Sequence, residues 1–157
     1  MTIISKTFLV AILTIGGVFS WTSAMAQPKD EAADRQLFQA INRKRAANGL
    51  PSLKWDNALA NAARQHAEAM AAQKSLSHGF PGEPSLPSRA TRAGARFSWL
   101  SENVAAGPNA ENISEQWMHS PNHRANLLDA DMDTIGAGAI ERNGVVFAVA
   151  DFCKAKR

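Results

Sequence analysis

Cysteine is almost missing from this chain: Cys153 stands alone among 157 residues. No intramolecular disulfide can form, so stability has to come from packing. The role left for Cys153 is that of a small, half-buried apolar residue in a last strand. Its other possible use, an intermolecular disulfide, would show as a dimer on a non-reducing gel. Charge of one sign is lacking too. Seventeen basic groups face fourteen acidic ones, a formal +3, which is not the footprint of a nucleic-acid binder. There is no Gly-x-Ser-x-Gly elbow, phosphate loop, dinucleotide fingerprint or cysteine pair for zinc, so several common enzyme classes have no support. Internal repeats and low-complexity segments are absent as well.

Long hydrophobic runs are limited to one, residues 7–21. It is shorter than the roughly 20 residues that span a bilayer and contains Gly16-Gly17. With Lys6 before it and Ala24-Met25-Ala26 after it, it has the form of a secretory signal peptide over residues 1–26, cleaved before Gln27. Lys6 would leave with it, so sixteen basic groups would face fourteen acidic ones, a net +2. No cysteine follows the cleavage region to carry a lipid. The expectation is a mature protein secreted or periplasmic, with no nucleic-acid partner and no membrane span after processing.

What is present is mostly helical pattern followed by strand pattern. Residues 27–33 read as a short flexible lead and residues 34–157 as one domain. A first helix is expected from Asp34, with Leu37, Phe38, Ile41 and Ala47 near one face and Gly49 ending it. Arg43-Lys44-Arg45 falls on its polar side near the C-terminal end and reads as a solvated helix face. Residues 50–55 form an extended link. Asp56 then caps a second helix whose Leu59, Ala62, Ala63, His66, Ala67 and Met70 make an alanine-rich stripe suited to close approach by a sheet or helix. His66 on that stripe reads as a core side chain with one satisfied hydrogen bond. Residues 88–93 can form a short helix stopped by Gly94, after which Phe97, Trp99 and Leu100 return the chain to the core. Residues 112–118 read as a helix interrupted at Pro121. Ser120 caps a new helix with Pro121 at its first position. His123 lies in that helix's first turn, where the dipole favours a neutral imidazole. Residues 134–140 and 145–152 flank Asn143-Gly144 and predict a hairpin with a type I′ turn. Gly136 and Gly138 leave one face bare for a helix.

Chemistry concentrates between Trp99 and Leu128. Two of the four histidines lie there, together with Glu102-Asn103 set among apolar neighbours, a polar pair that needs partners once buried. His78 follows the second helix in a Pro- and Gly-rich loop, a setting in which binding residues gather. His119 and His123 are four apart, but Pro121 lies between them and Ser120 stands where a zinc-protease helix carries its catalytic Glu.

The order of Asn42 to Arg45, Leu53-Lys54-Trp55-Asp56, Leu59, Ala63, Ser77-His78, Ser101-Glu102-Asn103-Val104-Ala105 and Trp117-Met118-His119-Ser120-Pro121-Asn122-His123-Arg124 resembles the CAP superfamily. These are the cysteine-rich secretory, antigen 5 and pathogenesis-related 1 proteins, also called SCP domains, and the short bacterial members match best. The resemblance implies an α+β fold, a three-layer α-β-α sandwich with a central antiparallel sheet, and a cleft lined by two histidines and two acidic residues. His78, Glu102 and His123 carry over, whereas the second acidic position is Ser120. Glu115 is a poor substitute, because five residues along a helix turn it about 140° away.

Two imidazoles can hold a divalent ion such as zinc. Glu102 could complete the site or act as base, although with one carboxylate fewer the binding should be weak. The trio could equally be a hydrogen-bonded cluster tying the His78 loop to the His123 helix. The expected function is an exported CAP domain that binds a small apolar molecule, a cell-envelope component or a partner protein without catalysis. The alternative is a metal-assisted hydrolase with His78 and His123 as ligands and Glu102 as base.

Overall fold

The structure, a computed structural model, describes residues 28–156; the signal peptide expected over residues 1–26 lies outside them. Helix α1 spans Pro28–Ala47. It begins six residues ahead of Asp34, so residues 28–33 are helix and not a lead. Glu31 in the first turn suits a helix N-terminus. Then follow β1 (Lys54–Trp55), α2 (Asn57–Gln73), α3 (Leu86–Ala93), β2 (Phe97–Gly107), α4 (Ala110–His119), α5 (Pro121–Leu127), β3 (Thr134–Arg142) and β4 (Val145–Ala155).

The four strands form one sheet in the order β1-β3-β4-β2. Its main part is antiparallel as expected, but β1 runs parallel to β3, so the sheet is mixed. The extended link after α1 thus donates its last two residues to the sheet edge. Asn143 and Gly144 have φ +53° and +77°, as a type I′ turn requires, and they set the β3–β4 register.

One face of the sheet carries α2. The predicted stripe, Leu59, Ala62, Ala63, His66, Ala67 and Met70, is buried throughout: Ala63, Ala67 and Met70 pack against Val104, Ile140, Phe147 and Val149, and Leu59 against Ala90, Ala95 and Cys153. Fully burying a residue such as Leu59 or Met70 contributes about 1.5–3 kcal/mol. The helix can sit this close because Gly136 and Gly138 present no side chains: a Cβ at Gly136 would overlap the backbone of Leu59 and Ala60, and one at Gly138 that of Ala63 and Arg64. Backbone cannot swing aside as a side chain does. Gly136→Ala should therefore cost about 3 kcal/mol or more by overpacking, whereas Gly79→Ala, with open space around it, should be near neutral. The two urea midpoints check the contrast.

The opposite face carries α1, α4 and α5 over Leu37, Ile41, Ile113, Trp117, Leu127, Ile135 and Phe152. Ala47, placed on the same stripe of α1 by its spacing, is exposed. The Arg43-Lys44-Arg45 run is not uniformly solvated. Arg43 and Lys44 pair with Glu111 of α4 at 2.6 and 3.0 Å, and Lys44 also with Glu115, exposed pairs worth little individually. Arg45 is fully buried and donates to the carbonyls of Pro51 (3.0 Å), Leu127 (2.9 Å), Asp129 (2.9 Å) and Met132 (3.4 Å). Cys153 is free and buried. Its burial, reinforced by Asp133, Asp56 and Asp151, pushes the thiol up to about 12, which leaves it protonated and inert.

Strand β2 is the outer edge of the sheet, and its carbonyls are covered by side chains. Asn126 donates to Glu102 O, Trp117 Nε1 to Val104 O and Gln116 to Ala106 O, each at 3.3 Å. Open strand edges invite pairing with other chains, and such covering blocks it. Trp99, expected in the core, is instead 64% exposed, next to a register shift between Phe97 and Trp99.

Candidate functional site

Residues alternate faces along a strand, and this decides what Glu102-Asn103 does. Glu102 projects to the α2–α3 side and Asn103 to the α5 side. Each ties one histidine to the edge strand from its own face of the sheet.

On the first side, the Nδ1–H of His78 donates to Glu102 Oε1 at 2.8 Å. A carboxylate can only accept, so this bond fixes the hydrogen on Nδ1 and leaves Nε2 of the neutral ring as a lone pair. The His78 side chain is 63% exposed, while that of Glu102 is almost fully buried. The second carboxylate oxygen is taken by Arg89 Nη2. Arg89, on α3 and itself buried, also donates through Nη1 to the carbonyls of His78 and Pro84, both at 3.3 Å. The His78 loop is strapped down a second time by His66, whose Nε2–H donates to Ser77 O at 2.8 Å while Nδ1 meets Glu83 Oε1 at 2.6 Å. His66 is therefore structural as read, though with both nitrogens engaged and not one. Glu83 further accepts from Phe80 N at 3.0 Å.

On the other side, Asn103 Nδ2 donates to the carbonyl of His123 at 2.9 Å, and Asn126 donates to Asn103 Oδ1 at 2.9 Å. Pro121 opens α5, as predicted, with Ser120 before it making no side-chain cap. Ser120 is half-buried at the α4–α5 junction. The pKa of His123 is lowered, first by burial and then by the charge of His78. The shift runs in the direction expected from the helix dipole, with burial as its leading cause. The influence of His78 is the one link between the two imidazoles among the described residues, for no hydrogen bond joins them. Glu115 does not join them, being held at the surface by Lys44. Among the described residues no three His, Cys, Asp or Glu side chains are placed to share a metal ion.

Two buried groups at this site were missed by the sequence reading. Arg89 sits in Leu86–Ala93, a short helix with nothing in its pattern to mark it. Asp151 could have been found: it is the one acid inside the apolar run of β4. It lies opposite Glu102 in the β2–β4 register, is fully buried, and neither of its oxygens has a hydrogen-bond partner of ordinary geometry. Burial, then the Glu102 charge, raises its pKa well above the usual carboxylate range, against a smaller lowering by Arg89. A raised Asp151 thus holds its proton beside the Glu102–Arg89 pair.

A pH dependence follows. The folded chain keeps on Asp151 a proton that the unfolded chain releases near pH 3.9. Stability therefore falls as pH rises from about 4 toward the raised folded value. Asp151→Asn mimics the protonated acid. It is expected to melt a few degrees above wild type at pH 7 and to lose that advantage near pH 4, as thermal melts across this range would record.

The family profile described as "CAP: Cysteine-rich secretory protein family" matches residues 38–152. A Bacillus subtilis protein, YkwD, is 26% identical over 125 residues, 79% of this chain and 49% of its own. Among solved structures, an extracellular protein containing an SCP domain from Bacillus anthracis shares 27% identity, with a TM-score of 0.70 over 84% of this chain and 45% of that one. An outer surface protein of Borrelia burgdorferi matches at 22% identity and a TM-score of 0.72, covering 80% of this chain and 95% of that one. The chain thus spans about half the length of YkwD and of the B. anthracis protein.

Proposed function

The chain belongs to the cysteine-rich secretory protein (CAP) family, and from that membership we propose that it is an exported binding domain without catalytic activity. Its ligand is a small apolar molecule, a cell-envelope component or a partner protein, held at the cleft between His78 and His123. Export accords with the extracellular and outer-surface descriptions of the B. anthracis and B. burgdorferi proteins. No helix among the described residues is long and apolar enough to cross a membrane.

One observation carries the reading: both oxygens of Glu102 are already engaged, one by Arg89 and one by His78. A general base needs a free lone pair aimed at the proton it removes, and the Glu102 side chain, 2% exposed with a partner on each oxygen, presents little of one to the cleft. What the cleft offers a visitor is His78 Nε2 and the neutral His123. A divalent ion such as zinc would find two imidazoles and water there. With half the ligands of a closed zinc site, it would bind weakly.

The test pairs binding with turnover. Amide shifts of the labelled protein are followed with fatty acids, phospholipids and cell-wall fragments, and hydrolysis of peptides, esters and the same fragments is assayed with and without chelator. Saturable shifts around His78 and His123, lost in the His78→Ala, His123→Ala double variant, with no turnover, are expected. Chelator-sensitive turnover abolished by Glu102→Gln would establish a hydrolase instead.

A further inference from the structure

The covering of strand β2 stops short of its first residues. Glu102 O, Val104 O and Ala106 O face outward, where Asn126, Trp117 and Gln116 meet them. Backbone groups of an antiparallel strand alternate between its two sides, and the β2–β4 register is unbroken from Trp99 onward. The N–H and C=O of Leu100 therefore face outward too, and no hydrogen bond among the described residues reaches them. An open edge of this kind is a template for another extended chain.

The adjoining face of the strand is uncovered as well. Trp99 lies on the same face as Asn103, yet its indole is 64% exposed. Beside it is a cleft of about 550 Å³ whose lining includes Asp129, Asp131 and Met132, from the segment between α5 and β3, and Lys154 of β4. The charge there is on balance negative. Asp129 Oδ1 accepts from Asp131 N at 2.8 Å, and no side chain among the described residues pairs with its other oxygen. Asp131 is 84% exposed, with Lys154 Nζ 3.6 Å away. Lys154 thus offsets one carboxylate and leaves the other. An exposed indole face attracts an ammonium or guanidinium group, and Asp129 adds the opposite charge.

From the open edge and the charge beside it, we infer that β2 at Trp99, Leu100 and Ser101 is a docking surface for an extended basic peptide segment, which adds a strand opposite Leu100 and lays a lysine or arginine side chain over Trp99 toward Asp129. In such docking the backbone pairing supplies affinity and the side chains on one face supply specificity. Alternate residues share a face, so the segment's residue opposite Leu100 points to the α2–α3 side and its two neighbours, the basic positions, to the Trp99 side. The inference does not rest on any ligand at the histidine cleft. Lys154 opposes the incoming charge, which gives the proposal a sign that can be checked.

The experiment titrates the end-capped peptide Val-Lys-Val-Lys-Val into the isotope-labelled protein and follows the Trp99 indole and the Leu100 amide. The controls are Val-Glu-Val-Glu-Val and the lysine peptide methylated on its central amide nitrogen, which can no longer donate to Leu100 O. Saturable shifts with the unmodified lysine peptide alone are expected. Trp99→Ala, at an exposed position, should weaken binding about fivefold. Asp129→Asn, whose amide oxygen can still accept from Asp131 N, should weaken it roughly two- to threefold, and Lys154→Gln should tighten it by a similar factor, as single charges in high dielectric do. The proposal is overturned by the lack of a saturable shift, by equal binding of either control peptide, by unchanged binding in Trp99→Ala or by weaker binding in Lys154→Gln. Sedimentation of the protein alone completes the test: self-association abolished by Trp99→Ala would give the edge to a second copy of the chain and overturn the proposal too.

Discussion

Arg45→Met is expected to lower Tm by about 10 °C or more, the largest loss of any single substitution outside the sheet glycines. The guanidinium is a four-way bracket. It joins the link after α1, through Pro51, to the end of α5 and the following loop, through Leu127, Asp129 and Met132. Hydrogen bonds from a charged donor contribute about 1.5–3 kcal/mol each, and removing this donor leaves four carbonyls without their partner. Part of the loss is returned, because burial lowers the pKa of Arg45 and a neutral side chain carries no such desolvation cost. A net loss of roughly 4 kcal/mol remains, against a total stability of about 5–15 kcal/mol for a domain. Arg45→Lys should recover less than half, since one ammonium cannot reach carbonyls in three directions. Recovery to wild-type stability in the lysine variant would show that charge and not the fork matters.

Glu102→Gln and Asp151→Asn should be strongly non-additive. With Glu102 alone replaced, burial still raises Asp151, but the opposing Glu102 charge is gone and the pull of Arg89 is unopposed, so Asp151 is expected to ionise more readily and to compensate in part opposite Arg89. The single variant should lose about 2 kcal/mol. Asp151→Asn alone should be neutral or stabilising at pH 7. Together they leave the Arg89 guanidinium buried with no carboxylate at this position, and breaking a buried pair from one side costs about 3–5 kcal/mol. The double variant should therefore fall below the sum of the singles by at least about 1 kcal/mol, within the range seen for residues in contact. Denaturant melts of the four proteins give the cycle directly. Strict additivity would mean that the two carboxyls do not influence one another. Because Gln can still accept from His78 Nδ1, His78 should stay in place in Glu102→Gln. Ligand binding at the cleft should therefore survive where stability does not.

The sequence was most informative where a single segment carries its own signal. The α2 stripe, the Asp56 cap, which accepts from Leu59 N at 2.8 Å, the break at Pro121 and the Asn143-Gly144 turn are local rules of periodicity, capping and backbone φ, and each was legible. So was the loop that carries His78 between α2 and α3. Strand β2 was not, because Trp99-Leu100-Ser101-Glu102-Asn103-Val104-Ala105-Ala106 does not alternate polar with apolar. It is an edge strand covered on both faces and along part of its rim, so its pattern is not that of a half-buried strand.

The residues missed share another cause. Arg45 looks like the end of a solvated basic run, and its burial depends on where α5 ends, 82 residues later. Asp34 looks like a helix start, yet it binds a strand N–H 105 residues away.

By itself, then, the sequence determined most of the elements and the family to which they belong, because these signals depend on neighbours a few positions apart. Only the tertiary structure decided that Glu102 faces Asp151 and Arg89, and that Asn103 turns the other way to hold the His123 backbone. It likewise settled that Arg45 is a core residue. Those outcomes rest on strand register and helix placement, and it is burial across distant segments that turns an ordinary charged side chain into one whose partner, or lack of one, matters.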